Sequence, residues 1–188
     1  VRIVGIVLAA GSGSRFGGAK LLAALPDGNP IGLVSFRNLR SAIDDVRVVI
    51  RTGDVALRSL FEGDSATVVE CADADLGMSR SLVAGVRSAI AAGGWVIGLA
   101  DMPFVAPATI CAVAGALRAG ALIAIPSYRG MRGHPVGFSS RLKDELLAVS
   151  GDEGARAVVR RNDRDVRVIE CDDPGILRDI DTREDLQT

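Results

Sequence analysis

Near the start of the chain, glycines and two cations stand in an order suited to holding phosphate. Leu8, Ala9, Ala10, Gly11, Ser12 and Gly13 lead to Arg15 and, past Gly17 and Gly18, to Lys20. Glycines let the backbone approach a ligand closely and take positive φ, so successive N–H groups can converge on an anion. Two long basic side chains add fixed charge, and the whole reads as a cradle for polyphosphate. The spacing is not that of a Walker loop, because no Gly-Lys-Ser/Thr follows four residues after a glycine. Nor does it suit a dinucleotide fingerprint, since Arg15 and Lys20 occupy the turn where a helix should open. A glycine-rich strand-to-helix turn without a ligand is the plainer alternative.

Four later clusters carry chemically able side chains. Asp101 lies in Leu99-Ala100-Asp101-Met102-Pro103, just past an apolar strand-like run. Ligands of open α/β sheets bind beyond the carboxyl ends of strands, so Asp101 stands where it could meet one, or it merely caps the turn before Pro103. A second acidic group, Asp179, Asp181, Glu184 and Asp185, closes the chain. If residues 178–181 are extended, Asp179 and Asp181 share a face. Thr182 and its acidic neighbours equally suit a final capped turn. Ser79 and Ser81 follow Gly77 at a helix start, where free N–H groups and hydroxyls can meet an anion or simply cap the helix. The last cluster, Arg129 to Pro135, holds Arg132 and the sole histidine, His134. Its arginines suit an anionic substrate, and His134 could orient a phosphate, act as acid–base or bond backbone at a proline turn.

Alternating elements must position these groups. Apolar, β-branched runs read as strands at 3–8, 46–50, 66–71, 95–99, 122–125, 136–138 and 166–170. Between them, helical spacing predicts helices at 31–43, 54–61, 77–92, 107–117, 139–149 and 153–161, with Ile90 on the packed stripe of the third. Residues 172–175 read as a turn and 176–180 as a short extended piece. Strand–helix alternation implies a parallel sheet covered on both faces.

Bulk composition bounds the function. Of 188 residues 48% are hydrophobic, enough for a real core and too many for a disordered chain. With 22 basic and 23 acidic residues the formal charge is −1, so no global basic field attracts nucleic acid. No apolar run approaches a membrane span of roughly 20 residues. Val1-Arg2-Ile3 runs straight into the first strand, leaving no room for a signal peptide. Cys71, Cys111 and Cys171 form neither a CxxC pair nor a Cys/His cluster, and are read as reduced core or near-core residues of a cytoplasmic protein.

The opening motif, Leu-Ala-Ala-Gly-x-Gly-x-Arg-Phe-Gly-x-x-Lys, resembles the signature loop of the MobA-like nucleotidyltransferases, and within them the MocA-type molybdenum cofactor cytidylyltransferases. Leu99 to Pro103, Gly77 to Leu82, Arg-Gly-His-Pro at 132–135, Gly151 to Arg156 and the Thr-x-Glu-Asp tail at 182–185 resemble further family segments in the expected order. The resemblance implies one 1–188 domain with a three-layer α/β/α Rossmann-like fold and a mostly parallel sheet. Residues up to about 105 would bind nucleotide and those from about 106 the acceptor. It implies CMP transfer from CTP to the terminal phosphate of molybdopterin, with Mg²⁺ as cofactor and pyrophosphate released. A molybdoenzyme receiving the product is the further partner. Leu8 to Gly13, Lys20, Ser79 and Ser81 would bind nucleotide, and Arg15, Lys20 and Asp101 would be catalytic. Asp101 and Asp181 would hold metal, and Arg132, His134 and Asp179 the acceptor. Ala10 stands where the guanylyl branch has glycine, which points to CTP. Residues 25–32 fit the usual acceptor-side stretch poorly, so a sugar or polyol phosphate remains an alternative acceptor. A non-catalytic cofactor carrier is the alternative of another class.

Overall fold

A computed structural model describes residues 1–11, 16–151 and 153–186. Its frame is one mixed sheet. Strands β1 (Ile3–Leu8), β2 (Val46–Arg51), β3 (Thr67–Cys71) and β4 (Gly94–Leu99) run parallel in the order β3-β2-β1-β4. β5 (Ile123–Tyr128) lies beyond, separated from β4 by β7 (Val136–Ser139), which is antiparallel to both. β6 (Met131–Arg132) pairs antiparallel with the far end of β5, and β8 (Val166–Glu170) lies parallel on the other edge of β5. The mostly parallel, Rossmann-like α/β architecture implied by the resemblance is therefore present, whereas the parallel sheet expected from strand–helix alternation is broken by the antiparallel β6 and β7.

Alternate residues of the strands feed two apolar layers, as the period-2 pleat requires. Ile3, Val7, Val48, Val96 and Ala124 face α1 (Ile31–Ala42), α2 (Val55–Gly63) and α4 (Pro107–Arg118). Val4, Ile6, Val49, Trp95 and Ile125 face α3 (Met78–Ser88), α5 (Lys143–Leu147) and α6 (Arg156–Arg161). β1 has β2 on one side and β4 on the other, so the direction of sheet growth reverses there. Such a reversal leaves a crevice at the carboxyl ends of the two strands.

Several elements differ from the sequence expectation. α3 ends at Ser88 rather than 92, because the Gly93 N–H bonds the Arg2 carbonyl while the Trp95 indole takes the Ala89 carbonyl at 3.1 Å. Ile90 consequently lies outside the packed stripe and is exposed. The expected helix at 139–149 is a 3₁₀ turn at Ser140–Leu142 followed by the short α5. Ile176 and Leu177 belong to a 3₁₀ turn, Pro174–Leu177, rather than an extended piece. Cys111 is exposed on α4, not near the core. No helix among the described residues is long and apolar enough to cross a membrane.

Candidate active site

The crevice at the reversal is a cleft of about 940 Å³, within the roughly 300–1,000 Å³ usual for small-molecule sites. Its floor is the exit of β1. The Ala9 N–H continues the ladder to the Val49 carbonyl at 2.8 Å, and the Ala100 N–H bonds the Leu8 carbonyl at 3.1 Å. Leu8, Ala9, Ala10 and Gly11 thus come out between β2 and β4 and line the cleft. Ser12, Gly13 and Arg15 lie outside the described residues.

Lys20 opens a 3₁₀ turn, Lys20–Leu22, whose Leu21 is buried. The preceding Ala19 sits in the left-handed region at φ 34°, a conformation costing about 1–2 kcal/mol for an L residue. The turn brings the Lys20 ammonium between two carboxylates. Its Nζ donates to Asp101 Oδ2 at 2.7 Å and to Asp181 Oδ1 at 3.3 Å. Burial alone would pull this ammonium down, but the hydrogen bonds and charges of Asp101, and then of Asp181, hold it above its ordinary value. These residues lie 81 and 161 positions apart in the chain, and both acids line the same cleft.

The two acids are joined through backbone. The Ile180 N–H donates to the Asp101 carbonyl at 2.9 Å, and Ile180 itself is fully buried. Asp179 and Asp181 therefore flank an inward-facing residue, with Asp179 exposed. The Asp185 carboxylate accepts the N–H groups of Thr182 (2.7 Å) and Asp181 (2.9 Å) and the Thr182 hydroxyl, which hold it below the usual range. The acidic tail is thus partly a cap, as one of its two sequence readings required.

Other expected site residues divide. Ser81 lines the cleft. Ser79 is fully buried and bonds the Gly151 carbonyl through both its N–H and its hydroxyl, so it ties α3 to the 151 loop instead of facing the cleft. Arg132 points to Asp163 at 2.6 Å and does not line the cleft. His134 is held by its own N–H to the Ile176 carbonyl at 2.9 Å. Its Nδ1 is sealed from solvent and has no hydrogen-bond partner among the described residues, beside a void of about 20 Å³. Three charged cleft residues, Arg51, Asp54 and Asp75, escaped the sequence reading. Arg51 Nη2 lies 3.4 Å from the Ala10 carbonyl and pairs with Asp75. The strand-end rule applied to β2 would have found Arg51.

Burial pushes the His134 imidazole below its ordinary 6.5; the Arg156 charge adds to this and the charges of Asp101 and Asp179 oppose it. The unfolded chain therefore binds this proton first. Stability is complete above pH 6.5 and falls as pH drops toward the native value, by at most about 1.4 kcal/mol per unit. His134→Gln is expected to flatten that slope between pH 7.5 and 5.5 in thermal melts, and an unchanged slope would assign it to other groups.

With this geometry, known proteins become informative. The MobA-like NTP transferase domain matches residues 5–167. Purine catabolism protein PucB of Bacillus subtilis is 35% identical over 195 residues, covering 97% of this chain and 93% of that protein. Nicotine blue oxidoreductase of Paenarthrobacter nicotinovorans is 28% identical, over 98% of this chain and 94% of that protein. Among solved structures, Rv0371c of Mycobacterium tuberculosis superposes with a TM-score of 0.84 at 29% identity, covering 100% and 97% of the two chains. Its complex with manganese superposes at 0.78, with the same identity and coverage. A match along most of the chain, over a cleft where an ammonium and two carboxylates meet at the sheet reversal, means that this nucleotidyltransferase belongs to the MobA-like NTP transferase family.

Proposed function

We propose that the protein transfers CMP from CTP to the terminal phosphate of a molybdopterin-type acceptor. A phosphate oxygen of the acceptor attacks the α-phosphorus, the α–β P–O bond breaks, and its electron pair leaves with pyrophosphate. The observation that carries this reading is the convergence of Asp101 and Asp181 on one cation, the Lys20 ammonium, within the cleft. Two carboxylates aimed at a single point are a hard-oxygen donor set that fits Mg²⁺ or Mn²⁺, and the manganese complex of Rv0371c supports a divalent ion. Bound there, the ion would supply charge neutralisation and a template for the phosphates.

The chain's own residues do the rest by positioning and electrostatics. Gly11 to Gly13 would supply backbone donors to the phosphates, and Lys20 and Arg15 would neutralise charge that moves onto the leaving pyrophosphate; Ser12, Gly13 and Arg15 lie outside the described residues. Ser81 faces the nucleotide. The acceptor enters from the side of residues 106–188, near His134 and Asp179, while the part up to about 105 holds CTP. The reading includes a cytoplasmic location and a molybdoenzyme as recipient.

Choice of base is assigned to Ala10, 6% exposed at the β1 exit. Ala10→Gly removes one methyl and should relax preference for CTP over GTP by about tenfold. Unchanged discrimination in competition assays would place base reading elsewhere.

Calorimetry with CTP, GTP and ATP, with and without Mg²⁺, tests the proposal. Metal-dependent binding that favours CTP is expected. Absence of any nucleotide binding would overturn it in favour of a cofactor carrier. Tight CTP binding with turnover only on a sugar or polyol phosphate would replace the acceptor.

A further inference from the structure

Asp173 is a buried carboxylate, 6% exposed, that lies outside the cleft and has no part in the reaction proposed above. Its Oδ2 accepts from the Ala106 N–H at 2.9 Å and from Thr109 Oγ1 at 2.7 Å, and its Oδ1 accepts from the Gly175 N–H at 3.0 Å. Ala106 is the N-cap of α4 and offers no side-chain acceptor of its own. Helix starts are ordinarily capped by a local Ser, Thr, Asp or Asn. Here the cap comes from a residue 67 positions later in the chain.

That substitution of a distant cap for a local one fastens a strap. After Asp173 the chain runs to Asp181 through a series of close backbone contacts. A Cβ on Gly175 would lie 2.1 Å from the Phe104 carbonyl oxygen, and one on Gly133 would lie 2.3 Å from that of Ile176. His134 then holds Ile176 at 2.9 Å, the Arg178 guanidinium lies 3.9 Å from the Phe104 ring centre, and Ile180 bonds the Asp101 carbonyl. Every one of these contacts joins residues 173–180 either to the 101–109 segment or to the 133–134 loop. Asp181 is the next residue.

We infer that Asp173 is a positioning residue that sets the second metal carboxylate, Asp181, against the first, Asp101, by clamping the 173–181 strap to the start of α4. This rests on the reading of Asp101 and Asp181 as the metal pair. Asp173→Asn keeps shape but replaces one acceptor oxygen by an amide donor, which must face Thr109, Ala106 or Gly175. A clamp mis-set by a fraction of an ångström at residue 173 reaches residue 181 because the strap between them is anchored at each step.

The test is Mn²⁺ binding to the full chain, followed by the electron paramagnetic resonance of free Mn²⁺, alongside thermal melts. Asp173→Asn is expected to weaken Mn²⁺ binding by about tenfold, as outer-shell changes do. Thr109→Val removes one of the three bonds and should weaken it by about two- to threefold; it decides the matter if Asp173→Asn does not fold. In an Asp181→Asn background, Asp173→Asn should add nothing, because the ligand it sets is gone. A lower melting temperature with wild-type Mn²⁺ affinity makes Asp173 a helix cap only and overturns the inference, as does full additivity with Asp181→Asn. If Asp181→Asn itself leaves Mn²⁺ affinity unchanged, the metal role of Asp181 falls and the inference with it.

Discussion

Asp101→Asn should lower metal-dependent pyrophosphate release by at least about 10³-fold while leaving the fold intact. The substitution removes a charge and almost no volume. The contacts that hold this corner together are made by backbone: Ala100 N–H to the Leu8 carbonyl, and Ile180 N–H to the Asp101 carbonyl. Neither depends on the side chain. Lys20 retains Asp181 as a partner, so no ammonium is stranded in the part-buried site. Metal affinity should fall together with turnover, and melting temperature should stay within a few degrees of wild type. Wild-type turnover in Asp101→Asn would remove this carboxylate from the mechanism. Loss of activity accompanied by a broad or missing melting transition would instead make it a structural residue.

Lys20→Met is expected to cost about 10²–10³-fold in turnover, with the opposite effect on the metal. Methionine fills similar space without charge. In the free protein, the Lys20 side chain is only 11% exposed and pairs with two carboxylates that are themselves 24% and 32% exposed. Removing the ammonium takes away the positive charge that Asp101 and Asp181 share, and two carboxylates at one site favour a cation that can replace it. Mn²⁺ should therefore bind the nucleotide-free Lys20→Met protein at least as tightly as wild type, although catalysis is lost. That divergence separates the two substitutions. Asp101→Asn loses metal and rate together, and Lys20→Met loses rate alone. Weaker Mn²⁺ binding in Lys20→Met would mean that the ammonium does not compete for the carboxylates' position.

How the acids reach Lys20 explains why parts of this site were legible and others were not. The β1 exit and Asp101 each sit at the end of an apolar strand whose composition marks it plainly, so their place at the carboxyl edge follows from local pattern. Family membership was legible too, because the opening loop, the strand-end aspartate and the later segments come in a fixed order that local spacing preserves. Asp181 was harder. Its neighbours suit a helix cap, and Asp185 does serve as one, so the same letters support two local structures. What turns Asp181 toward Lys20 is the strap, and the strap depends on contacts from Asp173, Gly133 and Phe104 that no local window contains.

Ser79 and Arg132 show the converse. Both have the chemistry of a ligand contact; the structure sets Ser79 against the Gly151 carbonyl and pairs Arg132 with Asp163 at the surface. Their partners lie 72 and 31 residues away, so sequence spacing could not reveal these contacts. Arg51 was missed because a strand-final arginine looks like any exposed cation until β2 is known to lie beside β1.

Local residue pattern is enough for the period-2 strands, most of the helices between them, the glycine-rich exit from β1 and the acid just past β4. These follow from side-chain volume, backbone freedom and alternation, which act within about ten residues. Which charges meet is set by long-range packing. Lys20, Asp101 and Asp181 come together because sheet order reverses at β1 and a buried carboxylate fastens the C-terminal strap to α4. Both are long-range effects of packing, in which a hydrogen bond or a close backbone approach joins residues that the chain keeps far apart.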